Sequence, residues 1–412
     1  MRIRPALVLV AALVVAELAL WGQQPSTKWD LRPVSLSSPA ASDSAQPQLS
    51  VSKHGVILSW VERKGPQATL KFSERTAGEW STPRTVASGD DWFVNWADVP
   101  SVVRLENRTL VAHWLQKSGA DTYAYDVRIA TSSDDGKSWS PSFTPHHDGT
   151  KTEHGFAALF QMPRAGLGLV WLDGRNMKAG EHGGGHGAAE QDEMSLHFAA
   201  FDQAWKQVAE TPLDLRVCEC CPTAVAVTAD GPLVAYRDRS KEEVRDIYVT
   251  RLENGKWTEP KPVHPDGWKI PACPVNGPAL SARGRDVAIA WFHAKDGQPR
   301  SLAALSPDAG RTFGPPIRVD DVASLGRVDV ELLPDGSAAA AYMEFADQKA
   351  SFRVRVVRRD GTRSDPVIVA GMAGNRSSGY PRMVLQGNEL VFAWTERDGR
   401  ASRVQTSVAS LR

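Results

Sequence analysis

Charge of one sign is missing from this chain. Its 412 residues carry 48 Lys plus Arg against 48 Asp plus Glu, with no long run of either. That balance excludes the basic stripe of a nucleic-acid binder and an acidic tail. Helical spacing is nearly absent beyond residue 25, which leaves an all-β fold. Long apolar runs are absent too, apart from Ala6 to Trp21, which follows Arg2 and Arg4 in the form of an export signal. No A-x-A site and no lipid-accepting cysteine follow it. Residues 1–24 are therefore expected to be an export signal cut near Gly22 to Gln24, or else a single N-terminal anchor, the only membrane contact foreseen. The rest of the chain then faces the periplasm or the exterior. Residues 25–47 read as a tether with a short strand at Trp29 to Leu36, and residues 48–412 as the folded domain.

What is present is a repeat. Seven apolar, alternating segments each end in an aromatic: Trp60, Trp114, Trp171, Tyr236, Trp291, Tyr342 and Trp394, spaced 51 to 65 residues apart. A short strand and a turn precede each one, and a polar loop, a third strand and a fourth follow. Four short strands per unit with Gly, Asp or Asn at the turns describe a β-propeller blade. The repeated aromatic is packing between blades, which accounts for much of the count of 14 tryptophans. Seven blades are expected, with six as the alternative. The seventh unit ends at Arg412 without a fourth strand, so Trp29 to Leu36 is expected to supply it and close the ring.

Two turns, S-S-D-D-G-K-S-W at Ser132 to Trp139 and S-P-D-A-G-R-T-F at Ser306 to Phe313, fit S-x-D-x-G-x-x-W/F between the third and fourth strands of a blade. This pattern resembles the Asp-box (BNR repeat) of sialidase-like propellers, including bacterial exo-alpha-sialidase-like proteins, over residues 28 to 412. The box implies the fold and leaves function to other residues. The resemblance implies a tyrosine nucleophile helped by a glutamate, an aspartate acid/base and three arginines clasping a substrate carboxylate. On this chain those roles fall to Tyr380, to Glu219 or Glu243, to Asp98 or Asp173, and to Arg237, Arg239 and Arg382. The R-I-P motif of the first strand is absent, with P-Q-L-S-V at Pro47 to Val51 in its place.

In a four-stranded meander, the loops from strand two to three and from strand four to the next blade open on one face. Sorted by that rule, the reactive residues gather at one end of the ring. Arg175, Arg216, Arg237, Asp238, Arg239, Arg245, Asn276, Arg327, Asp329 and Arg382 form the candidate ligand site, for an acidic glycan or another anion. His146, His147 and His154 fall on the same face. The alternating signs of Y-R-D-R-S-K-E-E-V-R-D also suit a self-satisfied ion-pair network. Cys218, Cys220, Cys221 and Cys273 most simply make two disulfides in an exported chain, with a bridge between adjacent blade loops. The competing reading is a metal site using these four with a histidine, His182 and His186 lying above the same face. No cofactor is required, and a metal ion is the one candidate. Three functions stay open: a sialidase-type glycosidase, a non-catalytic glycan- or protein-binding propeller, and a metal-handling propeller.

Overall fold

The computed structural model describes residues 26–162, 166–177 and 193–411. The segment read as an export signal, and His182 and His186, lie outside the described residues. Among the described residues there is no α-helix, only the 3-10 turns Lys295–Gly297 and Arg376–Ser378, and no helix is long and apolar enough to cross a membrane.

Alternating strands joined by tight turns fold into seven antiparallel sheets, which are the seven blades; the six-blade alternative is excluded. Their first strands are Ser44–Ser52, Ser101–Arg104, His154–Met162, Ala224–Thr228, Ala279–Arg283, Ala323–Leu332 and Arg382–Gln386. Blade two has three full strands, and its fourth is reduced to the bridge from Ile129 to Phe143. In blade seven, Val34–Leu36 pairs antiparallel with Ala401–Ser410, Val34 opposite Val408. The strand at this end is therefore shorter than Trp29 to Leu36. Ser26–Thr27 pairs with Arg363–Ser364 of blade six.

The repeated aromatics pack where blades meet. Trp60, Trp171, Trp291, Tyr236 and Tyr342 are fully buried. Trp291 lies among Leu233 and Ala235 of blade four, and Trp60 among Val391 and Ala393 of blade seven. A buried indole N–H needs an acceptor. Trp60 Nε1 donates to Glu62 at 2.9 Å, Trp171 to Asp173 at 2.8 Å and Trp291 to Asp266 at 2.7 Å.

The two boxes are built alike. Asp134 Oδ1 accepts the N–H groups of Lys137 and Ser138, and Asp308 Oδ1 accepts that of Thr312. Ser132 and Ser306 each accept the N–H of the box glycine, at 2.9 Å in both. Short aspartate side chains brace such turns from within.

Candidate functional site

The first strands of all seven blades enclose an axial cavity of about 250 Å³. Asp98, Asp329, Glu331, Tyr380 and Arg382 are its ionisable lining. Burial pushes Asp98 up to about 7 and, with Asp329 beside it, Glu331 up to about 8. Asp329 is also raised by burial, although it accepts the N–H groups of Val330 and Met383.

Beside Asp98 sits a second acid. The Tyr125 hydroxyl donates to Glu153 at 2.5 Å and lies 3.3 Å from Asp98 Oδ2. Burial lifts Glu153 to about 8, with the Asp98 and Glu219 charges adding to it and the Tyr125 hydrogen bond opposing. Gly155 makes the arrangement possible, because a Cβ there would meet Asp98 Oδ2 at 2.1 Å. Asp98 Oδ1 is buried with no partner.

Most of the candidate arginines are already committed within the protein. Arg237, 2% exposed, donates to the carbonyls of Asn276, Arg245 and Phe292 at 2.9, 2.6 and 2.6 Å. Arg239 and Arg245 are shared between Glu219 and Glu243, Arg245 at 2.7 and 2.9 Å. Arg216 pairs with Glu193, and Arg175 with Asp173 and Glu210. Arg327 donates to Ser378, Gly379 and Asn375. Asn276 accepts the Arg327 N–H at 2.7 Å, and Asp238 is raised to about 7 by burial and the nearby Asp214. The alternating loop of blade four is thus the self-satisfied network.

Arg382 differs. Its Nε is buried without a hydrogen-bond partner, Asp329 is the acid that acts on its charge, and the guanidinium lies 5.4 Å over the Tyr380 ring. Tyr380 itself stacks on Trp96 at 5.8 Å and donates its hydroxyl to the Val275 carbonyl. Burial and the Cys221 charge raise its pKa well above the usual 10. Glu219 and Glu243, the expected helpers, are held by arginines and make no hydrogen bond to it.

The thiols gather on the cavity rim, where Pro222 and Thr223 line the wall. Cys218 Sγ is 2.6 Å from Cys221 Sγ and 3.9 Å from Cys220 Sγ. Exposed Cys273 reaches Glu219 Oε2 at 3.8 Å. All four are free, so the two expected disulfides are not found. Three sulfurs crowd one turn of blade four, and Cys273 turns toward a carboxylate, so no bridge spans the two blade loops. Gly277 lets this turn in: a Cβ there would meet the Pro222 carbonyl oxygen at 1.9 Å.

A fourth cluster joins blades two and three. The His146 and His154 rings stack at 3.8 Å and 7°. Asp126 lies at one edge, 3.5 Å from His154 Nδ1, and Asp148 at the other, 3.3 Å from His154 Nε2. Burial opposes a charge on His154, yet Asp126 and Asp148 raise it to about 9, while burial and that charge lower His146. An ion in the plane of one ring lies off the plane of the other, so the stacked pair suits a proton more than a shared metal. Asp173 is bound up with Arg175 and Trp171 Nε1.

No protein-family model matches the chain, and no curated protein matches it in sequence. Solved structures do share its architecture. Polysaccharide lyase Uly1 superposes with a TM-score of 0.55 at 9% identity, over 89% of this chain and 90% of its own. A protein of unknown function from Dyadobacter fermentans gives 0.51 at 15% identity, over 93% and 99%. The NanB sialidase from Streptococcus pneumoniae gives 0.47 at 8% identity, over 94% and 98%. Likeness at such identities shows the propeller fold alone.

Most of the candidate residues thus converge on one end of the ring. Asp98, Cys221 and Asn276 even occupy one repeated position, three residues ahead of the first strand of their blades. Tyr380 and Arg382 reach the cavity together, whereas Arg237, Arg239 and Arg382 do not converge on one point as a carboxylate clamp. Sequence reasoning missed Tyr125, Glu153, Glu331, Asp126 and Asp148. Only Glu153 carried a signal, as an acid immediately before a first strand.

Proposed function

We propose that this propeller binds an acidic glycan and receives one terminal sugar residue in its axial cavity, with the sugar carboxylate on Arg382. The observation that carries the reading is Arg382, whose Nε has no hydrogen-bond partner, at a polar cavity of about 250 Å³, on a face where most of the other candidate arginines are already paired. An arginine fork with an unused N–H favours a carboxylate. The cavity is at the small end of ligand sites and fits a single ring. Asp98, protonated near neutral pH, is the group placed to donate to a glycosidic oxygen, and hydrolysis of terminal sialic acid is the reaction class within this reading. The reading also takes the protein to be exported, on the Arg2, Arg4 and Ala6 to Trp21 pattern.

Calorimetry with sialic acid and with short uronate-terminated oligosaccharides tests binding, and a fluorogenic sialoside tests turnover. Arg382→Ala is expected to weaken binding by about 100-fold, in line with loss of a charge-assisted pair, with an unchanged melting temperature. Binding by wild type that Arg382→Ala leaves intact, or none for any acidic sugar, sinks the reading. Turnover that survives Asp98→Asn removes Asp98 from the chemistry.

A further inference from the structure

The C-E-C-C turn offers sulfur and nothing else. Cys218, Cys220 and Cys221 place three Sγ atoms within 4.8 Å of one another, two of the residues buried and one half-buried. Glu219, the carboxylate within the same turn, is held by Arg239 and Arg245, and the His146–His154 pair belongs to its own carboxylates. Cys273 stands outside the triad and open to solvent.

Cations stand beside the sulfurs. Arg245 Nη1 lies 3.5 Å from Cys218 Sγ, and this guanidinium is fully buried. Arg237 also lies beside Cys221, and the Asn276 N–H donates to that sulfur. Gly277 admits the turn to this pocket and nothing larger fits there. A buried turn of this kind is a costly place to leave unused thiols, because crowded sulfurs in air oxidise.

We infer that Cys218, Cys220 and Cys221 form a three-sulfur site for one soft monovalent metal ion, Cu(I). Thiolates select soft ions. Zinc sites are almost always four-coordinate, and only three of the sulfurs lie within 4.8 Å of one another, exposed Cys273 touching Cys220 alone among them. The 3.9 Å separation of Cys218 and Cys220 already matches two sulfurs on one ion, and Cys221 must draw back from its 2.6 Å contact with Cys218 to join them. Binding replaces thiol protons, which pass to water, and no electron moves. Three thiolates around one monovalent ion leave two negative charges, which Arg245 and Arg237 face. The metal site borders the sugar cavity but does not use Arg382, so it stands whether or not Arg382 binds a glycan.

The full chain, reduced and handled without oxygen, is titrated with Cu(I) against a chromogenic copper chelator. A single copper per chain should withstand the chelator, with a near-ultraviolet thiolate-to-copper band and only sulfur neighbours by X-ray absorption. Cys221→Ser and Cys218→Ser should each weaken retention by about 100-fold or more, beyond what outer-shell changes do. Cys273→Ser should change it by less than about threefold. Melting temperatures of the apo proteins check folding, and Cys→Ala variants replace any Ser variant that fails. Copper retained equally by a variant lacking all three cysteines, zinc displacing copper at equal stoichiometry, or a Cys218–Cys221 disulfide that persists in reductant would each overturn the site.

Discussion

The two ends of this ring are held by different kinds of contact. At the box end, Asp134 and Asp308 take N–H groups three or four residues along the chain. At the cavity end, Arg237 reaches carbonyls 39 and 55 residues away, and Arg327 spans 48 to 52 residues to the Asn375–Gly379 turn. The box turns are braced from within, with links such as Arg311 to Asp230 added at their surface, whereas the buried arginines of the cavity end tie blade to blade. A disturbance should stay local at the first and spread at the second.

The sharpest way to break this contrast is a single methyl group at each end. At the cavity end, Gly277→Ala puts a Cβ 1.9 Å from the Pro222 carbonyl, and main chain cannot yield as a side chain does. The expected cost is about 3 kcal/mol, at the upper end for overpacking, with displacement of the cysteine turn read as altered thiol reactivity. At the other end, Gly336→Ala meets nothing within 4 Å, and only its φ of +80° resists the change. Its cost should be about 1 kcal/mol. Equal losses in chemical denaturation would show that the ends do not differ.

Arginine deletions probe the same contrast more gently. Arg237→Ala leaves the Asn276, Arg245 and Phe292 carbonyls without their donor, at about 2 to 3 kcal/mol. Arg311, on the box end, pairs with Asp230 and Glu253 at the surface, all three side chains about a third exposed. Exposed pairs contribute little, so Arg311→Ala should leave the melting temperature unchanged. A large drop for Arg311→Ala would mean that the box end is also a network.

The same distinction sets what could be read from the chain. Blade count, the core role of Trp60, Trp171 and Trp291, and both boxes were legible, because each depends on neighbours within one strand or turn. The gathering of Asp98, Cys221, Asn276 and Arg382 was legible from strand order alone. Which arginines remain unsatisfied was not. Arg237 and Arg382 look alike in sequence, and only the distant carbonyls of Asn276 and Phe292 separate them. The expected disulfides are not found for the same reason: composition and compartment favour pairing, but pairing depends on where Cys273 points. Glu331 and Tyr125 sit in ordinary strand positions, and only the closed ring turns them into neighbours of the cavity and of Asp98.

Acid and base should act on the two ends in opposite directions. Asp98, Glu153 and Glu331 hold their protons more tightly folded than unfolded. Their contribution is full below about pH 4 and is lost as pH rises through about 7 and 8. Asp308 runs the other way. Burial opposes its ionisation, but hydrogen bonds from Thr312 bring it down to about 2, so its contribution is present above 3.8 and lost as pH falls through about 2. Between pH 5 and 8 the melting temperature should therefore fall, by the equivalent of about 1.4 kcal/mol for each pH unit over which one of these groups keeps its proton, and Asp98→Asn should flatten part of that slope. A rising melting temperature over this range would mean that the axial carboxyls are ionised in the folded protein.

The smallest expected effect belongs to the boxes. Asp308→Ala removes one acceptor from a turn whose serine and glycine still hold each other, Ser306 Oγ accepting the Gly310 N–H at 2.9 Å. The N–H of Thr312 faces solvent and finds water, so the loss should be about 1 kcal/mol or less, and Asp134→Ala should act in the same direction. Because these bonds stay within the turn, combining the two changes should give the sum of the single effects, as independent sites do. Combining Arg237→Ala with Gly277→Ala should not, since Arg237 holds the carbonyl of Asn276, the residue before Gly277. Additivity at the cavity end, or coupling between the two boxes, would reverse the assignment of local and linked contacts to the two ends of the ring.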